Sequence, residues 1–250
     1  MPVNSQSDNE PVFNVAPMGD SAIHLTIGSE ISVAINEKIM ALLSKIQEQN
    51  WVGIRELVPS YNTLVIHYNP FAITYGEIRS RLSILTKGQL DNKQRSGKLV
   101  VIPTCYGGRF GPDLESVSEL TGISCNDVIE IHCGTDYRVY ALGFSPGFPY
   151  LGGMDDRLFC PRLDSPRVEV PGGSVAIAET QTGVYPSSSP GGWRLIGNTP
   201  INLFDPFRDS PCFYIPGDYV RFVPIDAEQF GQIKDDVNCG RYKVEIIDID

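Results

Sequence analysis

The sequence predicts an α+β fold, in which a small N-terminal α/β two-layer domain precedes a β-rich domain of the barrel or sandwich type. Residues 11–95 alternate between strand-like and helix-like runs, whereas from residue 137 onward short apolar runs are separated by Pro-Gly turns. The stretch 87–98 is polar and lacks apolar periodicity, which is typical of a linker. We therefore predict two domains, 11–95 and 97–226, followed by an extension at 227–250.

The first domain contains two helices and a hairpin that can be read from local patterns. A strand is predicted at "AIHLTIG" (22–28), and a β-hairpin at 54–68, where two β-rich runs flank a Pro-Ser-Tyr-Asn turn. A helix within 35–50 presents a stripe of aliphatic side chains, and a second helix at 74–85 presents a shorter one. The first stripe consists of Ile35, Ile39, Leu42, Leu43 and Ile46.

The second domain begins with a strand at "KLVVIPTCYG" (98–107) and then becomes rich in short β runs. Ser124 and Asp127 have the spacing of a capping box, so we predict a short helix that ends near Cys133. The extension after residue 226 is predicted to hold a helix and a terminal strand. Four further strands are predicted at "SVAIA" (174–178), "WRLIG" (193–197), "CFYI" (212–215) and "YVRFVPI" (219–225).

Composition and charge exclude several classes of partner. The chain has 250 residues, a formal net charge of −10 and no cluster of Lys or Arg, which argues against nucleic acids and anionic membranes as partners. No apolar run approaches the roughly 20 residues that span a bilayer. The first residues, "MPVNSQSDNE", lack the basic and apolar regions of a signal peptide, so we predict a cytoplasmic protein.

Familiar cofactor and metal motifs are absent from the sequence. It contains no Walker A motif, no Gly-x-Gly-x-x-Gly motif after a strand and no Gly-x-Ser-x-Gly elbow. The six cysteines are scattered without a Cys-x-x-Cys pair, and His132-Cys133 has no second ligand pair at zinc-binding spacing. We therefore predict no zinc site and interpret the cysteines as partly buried packing residues. Asp155, Asp156 or Asp205 could supply a carboxylate to Mg²⁺, but nothing in their spacing singles one out, so no metal ligand is assigned.

The residues that could support chemistry are concentrated between His132 and the last strand of the second domain. Arg162 and Arg167 lie beside prolines that stiffen the backbone, an arrangement suited to binding a carboxylate or a phosphate. Gln181 and Thr182 could hydrogen-bond an amide, and a neutral His132 could exchange a proton near pH 7. A structural interpretation stays open for each, as loop ion pairs, barrel packing or a buried hydrogen bond.

Several long motifs, in fixed order, resemble the allophanate hydrolase subunit 1 family, which includes the B subunit of bacterial 5-oxoprolinase and a sporulation kinase inhibitor. The resemblance extends from about residue 15 to 226. The motifs are "SYNTLVIHYNP" (60–70), "CYGGRFGPDLE" (105–115), "IHCGTDYRVYALGF" (131–144), "GFSPGFPYLGG" (143–153), "PRLDSPRVEVPGGSVAIA" (161–178), "QTGVYP" (181–186), "SPGGWRLIGNTP" (189–200) and "PGDYVRFVPI" (216–225).

The resemblance implies a cyclophilin-like β-barrel for the second domain and a function within a complex. It implies a homologous partner, the C subunit, with which this chain would phosphorylate 5-oxoproline by means of ATP and Mg²⁺. A third protein, the A subunit, would then open the ring to glutamate. The chain alone would be inactive or nearly so.

The same resemblance implies a set of site residues. Arg162, Arg167 and His132 are the implied catalytic residues. The implied substrate-binding residues are mostly aromatic residues and glycines, namely Phe144, Pro146, Gly147, Phe148, Tyr150, Gln181, Thr182, Gly191, Gly192 and Trp193. The stretch 143–153, in which glycines and prolines stand beside three aromatic rings, is predicted to be a loop. The resemblance implies that it forms one wall of the substrate cleft.

Two alternatives to the oxoprolinase interpretation remain open. Other members of the family act on urea-derived amides such as allophanate. The sporulation-type member is a protein inhibitor that binds a histidine kinase and catalyses no reaction. The barrel motifs are common to all three, so the sequence alone does not separate them.

Overall fold

The computed structural model describes residues 13–87 and 97–249. The chain divides into two compact units, Met1–Lys93 and Gln94–Asp250. Most of the predicted linker, residues 88–96, lies outside the described residues, so the predicted domain boundaries stay predictions.

The first unit is a two-layer α/β structure. Its four strands form one antiparallel sheet in the order β1-β2-β4-β3, and its two helices pack on one face of that sheet. The elements are β1 (Phe13–Met18), β2 (Ala22–Ile27), α1 (Val33–Glu48), β3 (Ile54–Ser60), β4 (Thr63–Tyr68) and α2 (Tyr75–Lys87).

The core of this unit contains apolar side chains that recur at helical spacing in α1 and face the sheet. Ile39, Leu42 and Ile46 lie on one face of α1 and are buried against Leu25 and Ile66 of the sheet. The side chain of the N-cap residue Ser32 accepts a hydrogen bond from the backbone N–H of Ile35, which fixes the start of α1. The predicted strand, helices and hairpin of the first domain are therefore all present.

The second unit contains ten described strands and three α-helices. They are β5 (Gly97–Tyr106), α3 (Leu114–Thr121), α4 (Cys125–Cys133), β6 (Asp136–Leu142), β7 (Pro149–Gly152), β8 (Arg167–Val170), β9 (Ser174–Ala178), β10 (Gln181–Val184), β11 (Ser189–Gly191), β12 (Arg194–Asn198), β13 (Tyr219–Pro224), α5 (Ala227–Asn238) and β14 (Ile246–Ile249).

Seven of these strands close into a barrel in the order β12-β9-β10-β7-β6-β13-β5, because β5 also pairs with β12. One buried cluster contains side chains from every barrel strand, such as Val139, Ile177 and Phe222, and this cluster is the barrel interior. Leu114 of α3 and Val128 of α4 belong to the same cluster. The predicted α+β fold with a C-terminal β-barrel is confirmed.

Two local predictions for the barrel unit differ from the structure. "CFYI" (212–215) forms no strand: Cys212 makes one isolated bridge to Phe204, and the hydroxyl of Tyr214 donates to the carbonyl of Gly147. The stretch 143–153, predicted as a loop, includes β7, which begins at Pro149 and is part of the barrel. A proline is accepted there because it is the first residue of the strand.

Candidate functional site

A cavity of about 310 Å³ lies on the barrel unit beside α5. Its walls come from the loop after β5, from β8, from the start of β9, from β12 and from α5. Its chemically important lining residues are Arg109, Phe110, Arg167, Glu169, Leu195 and Phe230. The volume is at the lower end of the range for small-molecule sites, so the cavity suits a small ligand.

Arg167 is held in this cavity by Asp113. The Arg167 guanidinium donates to Asp113 Oδ1 through Nη2 at 2.6 Å, and Asp113 Oδ2 accepts the backbone N–H of Leu195 at 2.7 Å. Asp113 occupies the N-cap position of α3, yet its side chain makes no capping hydrogen bond. Its carboxylate bonds to Arg167 and to the backbone of β12 instead, and it therefore holds the guanidinium next to that strand.

The other terminal nitrogen of Arg167, Nη1, is buried and has no hydrogen-bond partner among the residues that the structure describes. A buried donor without a partner costs free energy, and for a charged group the cost is larger. The nitrogen belongs to a side chain that lines the cavity. Such donors are rare in folded proteins, and because the Arg167 side chain as a whole is 29% exposed, a rotation of the guanidinium would present this nitrogen to an anion in the cavity.

The loop between β5 and α3 brings a second arginine to the rim. The backbone N–H of Gly107 donates to the carbonyl of Ile196 at 3.0 Å, and a Cβ on Gly111 would overlap that same carbonyl. Glycine is therefore required for the loop to approach β12 closely. The loop carries Arg109, whose guanidinium lies 4.8 Å from the ring centroid of Phe110.

Most of the predicted aromatic residues form a packing cluster on the outer face of the barrel. Phe148 lies at the centre, with its ring centroid 5.0 Å from that of Tyr150, 5.3 Å from that of Tyr185 and 5.6 Å from that of Trp193. Phe148 and Trp193 are buried. The contacts are edge-on, which is the favoured geometry for aromatic pairs. None of these rings lines the cavity around Arg167.

Glycines in the predicted motifs make room for these rings. A Cβ on Gly183 would approach the rings of Phe148 and Trp193 to about 3.0 and 3.1 Å, and one on Gly191 would overlap the hydroxyl of Tyr185. Bare backbone beside ring surface is therefore explained by close packing inside the protein. It requires no ligand.

The loop 143–148 exposes one ring of the cluster. Phe144 has a positive φ of 65° and is 61% exposed, and Gly147, also with a positive φ, packs against Phe204. A non-glycine residue with a positive φ is strained. Pro146 and Gly147 complete a tight turn, in which Phe148 N–H donates to the carbonyl of Ser145 at 3.0 Å.

His132 and Thr182 meet each other in the barrel interior, where neither has exposed surface. His132 has no exposed surface, and its ring hydrogen-bonds Tyr106 through Nδ1 and Thr182 through Nε2, both at 2.8 Å. Thr182 donates its only hydroxyl proton to the carbonyl of Ala176. His132 must therefore donate from Nε2 and accept from Tyr106 at Nδ1, which defines a neutral tautomer.

Burial explains why His132 stays neutral. Desolvation lowers the pKa of the His132 imidazole from 6.5 to about 3. The rings of Phe222 and Tyr137 pack against it at 4.7 and 5.2 Å. This environment favours a structural hydrogen-bond role, and the catalytic assignment of His132 stays a prediction.

The remaining predicted residues do not line the cavity. Arg162 pairs with Glu179 at 3.5 Å, and both side chains are more than half exposed. Gln181 begins β10 and is partly buried. Gly192 accepts the backbone N–H of Leu163 at 2.8 Å, so it connects the 159–167 segment to the β11–β12 connection. Of the three implied catalytic residues, the structure places only Arg167 in the cavity.

The sequence interpretation did not single out Arg109, Phe110, Asp113 or Phe230. "CYGGRFGPDLE" contained the first three of these as part of a family motif, but nothing local showed that they meet Arg167. Phe230 lies in α5, for which no motif was found. Its ring centroid lies 4.6 Å from that of Phe110.

Two properties of the described residues bear on possible ligands and surroundings. Across residues 13–87 and 97–249, no group of three or more His, Cys, Asp or Glu side chains is arranged to hold a metal ion. Within the same residues, none of the helices has both the length and the apolar character needed to cross a membrane.

Comparisons with known proteins identify a family and several similar proteins. The family model described as "carboxyltransferase domain, subdomain C and D" matches residues 13–214. The chain is 40% identical over 240 residues to the B subunit of 5-oxoprolinase from Bacillus subtilis (strain 168), and the match covers 90% of this chain and 98% of that protein. The family resemblance predicted from the motifs is therefore confirmed.

Solved structures agree on the fold. The crystal structure of the protein TTHA0988 has a TM-score of 0.72 at 37% identity and covers 82% of this chain, which spans only 40% of that protein. The K. lactis urea amidolyase has a TM-score of 0.80 over 98% of this chain, at 21% identity, and this chain spans 17% of it. At that identity, the second likeness concerns the fold alone.

Proposed function

This chain belongs to the family described as carboxyltransferase domain, subdomain C and D, and on that premise we propose that it is the B subunit of a 5-oxoprolinase. The observation that carries the proposal is the 40% identity to the Bacillus subtilis protein of that name over 98% of its length. Likeness along a whole subunit favours a shared task more strongly than likeness to one module of a larger enzyme. The chain would work as one part of a hydrolase complex, with little activity alone.

The proposed substrate explains why a complex with ATP is needed. 5-Oxoproline is a five-membered lactam with one carboxylate, and amide resonance makes its carbonyl carbon a weak electrophile. In the proposed complex, this chain and a homologous C subunit together catalyse phosphoryl transfer from ATP to the lactam oxygen. A separate A subunit then adds two molecules of water, which together break the ring C–N bond to give glutamate and release the transferred phosphoryl group as phosphate.

The cavity of this chain does not by itself account for a nucleotide with Mg²⁺. Mg²⁺ in such sites is held by one or two carboxylates together with the phosphates, and Glu169, the one carboxylate among the described residues that line this cavity, already accepts a hydrogen bond from Ser188. We assign no metal ligand to this chain. In the proposal, ATP and Mg²⁺ are co-substrate and cofactor of the whole complex.

Within this chain, Arg167 is the best candidate for contact with the substrate. Its guanidinium is positioned by Asp113 and keeps one buried nitrogen without a partner among the described residues. Electrostatic stabilisation by such prepositioned groups is often the largest single contribution to catalysis. Contact of Thr182 or His132 with the lactam would require the barrel interior to open, because both are buried. Arg162 has its own carboxylate partner elsewhere.

The experiment that tests the proposal is reconstitution. The chain is purified alone and together with the homologous C and A proteins of the complex, and ATP-dependent formation of glutamate from 5-oxoproline is measured, with allophanate as the competing substrate. We expect turnover of 5-oxoproline only when all three proteins are present. Turnover of allophanate instead would establish the urea-amide alternative, and inhibition of a histidine kinase without any turnover would establish the inhibitor alternative.

A further inference from the structure

We infer that the 310 Å³ cavity is a site for a single carboxylate on a small ring, in which Arg167 and Arg109 bind the carboxylate and an apolar wall covers the ring. The wall is formed by Phe110, Leu195 and Phe230. The inference rests on the proposed function in one respect: 5-oxoproline is a ligand of this chemical class.

The hydrogen-bonding state of Arg167 provides the first argument. Asp113 occupies Nη2 of the guanidinium at 2.6 Å, while Nη1 is buried and unpartnered among the described residues. Nη1 has almost no accessible surface, so the guanidinium must turn toward the cavity before a ligand oxygen can reach it, and that contact would then remove the cost of the unsatisfied donor. Because a guanidinium prefers planar oxygen acceptors such as carboxylates, the half-occupied Arg167 is suited to one further carboxylate.

Arg109 provides the second positive charge. It is exposed at the rim, where its guanidinium stacks over Phe110 at 4.8 Å. No salt bridge to Arg109 is found among the described residues. Stacking on an aromatic face restricts the side chain without occupying its donors, so the donors stay available to an anion at the cavity mouth.

The charged side chains around the cavity limit the net charge that a ligand can carry. The positive side chains are those of Arg109 and Arg167. The negative side chains are those of Asp113, which pairs with Arg167, and of Glu169, which lines the cavity and accepts a hydrogen bond from the hydroxyl of Ser188 at 2.9 Å. Two positive and two negative groups leave no net charge around the cavity. A monoanion can be accommodated by the free donors, whereas a triphosphate would bring several uncompensated charges into a partly buried site.

The apolar wall favours a ring rather than a bare anion. The rings of Phe110 and Phe230 lie 4.6 Å apart at an interplanar angle of 46°, and Leu195 is buried beside them. Apolar surface next to charged donors is the usual arrangement of a small-molecule site, in which the apolar part supplies affinity and the polar groups fix the orientation.

The test is titration calorimetry on the full-length chain, alone and within the reconstituted complex, with three probes. The probes are 5-oxoproline, the neutral lactam 2-pyrrolidinone, which lacks the carboxylate, and ATP. We expect 5-oxoproline to bind at least about tenfold more tightly than 2-pyrrolidinone, which is the effect of losing one charged hydrogen-bonded contact. Equal affinity for the two lactams, or no binding of 5-oxoproline in either state of the protein, would overturn the inference.

Three variants locate the site. Arg109→Gln is expected to weaken 5-oxoproline binding about three- to tenfold, and Arg167→Gln at least about tenfold. The control Arg157→Gln removes an exposed arginine that pairs with Asp155 outside the cavity, and it should leave the affinity unchanged. Arg167→Gln leaves Asp113 buried without its cation, so its melting temperature is measured in parallel. Arg109 is exposed, and its variant keeps the test decisive if Arg167→Gln fails to fold.

The outcomes separate this inference from the proposed function. Binding that depends on Arg109 and Arg167, without any turnover of 5-oxoproline by the complex, would reject the proposed function and retain the carboxylate site. Turnover that is unaffected by both Arg109→Gln and Arg167→Gln would retain the function and reject the site. Tighter binding of ATP than of 5-oxoproline, lost in the same two variants, would reassign the cavity to phosphate.

Discussion

At the scale of single residues, Asp113 connects three parts of the barrel unit. Its carboxylate holds Arg167 of β8 and the backbone N–H of Leu195 of β12, while its own N–H donates to the carbonyl of Leu195. Arg167 and Asp113 are 54 positions apart in sequence. A sequence pattern does not reveal such a contact, because it depends on how β8 and the β5–α3 loop are placed by the barrel.

We predict that Asp113→Ala destabilises the protein by about 2–3 kcal/mol, because it leaves a partly buried arginine and a buried backbone donor without their acceptor. Urea denaturation measures the loss. The matched control is Asp136→Ala, which removes the partner of Arg221 in an equally short but more exposed ion pair and should cost no more than about 1 kcal/mol. Equal losses in the two variants would contradict the structural role of Asp113.

His132 leads to a prediction about pH. Its pKa is 6.5 in the unfolded chain and about 3 in the folded protein, because burial opposes its charged form. Between these values the unfolded state binds one more proton, so the free energy of unfolding falls as the pH drops from about 6.5 toward 3. This single group contributes a slope of about 1.4 kcal/mol per pH unit over most of that interval.

The variant His132→Gln is expected to lose that slope and to be less stable than the parent protein above pH 7, because it removes a buried ring that is hydrogen-bonded to Tyr106 and Thr182. Urea midpoints at pH 7.5, 6, 5 and 4 measure the effect. Above pH 7 the two proteins should differ by a constant amount, and the difference should shrink as the pH falls. A difference that stays constant down to pH 4 would show that His132 is not buried in the neutral form.

At the same scale, the sequence revealed residue types better than residue roles. It indicated Arg167 as an anion-binding arginine, and the structure places it in a cavity. It gave Arg162 the same role as Arg167, yet Arg162 does not line that cavity and contacts Glu179. The two arginines bond to different parts of the barrel unit. Arg167 is held by the β5–α3 loop next to β12, whereas Arg162 contacts the β9–β10 turn.

At the scale of elements, local periodicity was sufficient for the first unit and insufficient for parts of the second. The aliphatic stripe of α1 predicts both the helix and its buried face. Residues 212–215 have the apolar composition of a strand, but their polar groups bond to loops: Tyr214 to Gly147, and the N–H of Ile215 to Asp218. Composition indicates burial there, whereas strand formation depends on a neighbouring strand that the fold does not provide.

Glycines within strands give an element-level prediction. Gly191 of β11 lies against the hydroxyl of Tyr185, so Gly191→Ala should force that ring to move and should cost about 1–3 kcal/mol. The control is Gly231→Ala in α5, where an added Cβ meets no atom within 4 Å. Because alanine is the better helix former, the control should gain about 0.5–1 kcal/mol. Thermal denaturation distinguishes the two, and destabilisation by Gly231→Ala would contradict the packing described for α5.

At the scale of the whole molecule, the two compact units have separate cores. The buried cluster around Leu42 contains residues of the first unit only. The two buried clusters around Ile177 and Phe148 contain residues of the barrel unit only. The candidate site uses residues of the barrel unit alone. The function proposed here therefore places ligand recognition in the barrel and leaves the first unit available for another task within the complex.

Separate cores predict separate responses to core mutations. Leu42→Ala removes buried side-chain volume from α1, and Ile177→Ala does the same in the barrel interior, each at a cost of about 2–5 kcal/mol. Hydrogen–deuterium exchange on the full-length chain should show faster exchange within 13–87 for the first variant and within 97–249 for the second. Because the cavity lies in the barrel unit, 5-oxoproline binding should survive Leu42→Ala and weaken in Ile177→Ala. If Leu42→Ala instead raised exchange equally across both ranges, the two cores would be one cooperative unit, and the first unit would be required for the barrel to hold its ligand.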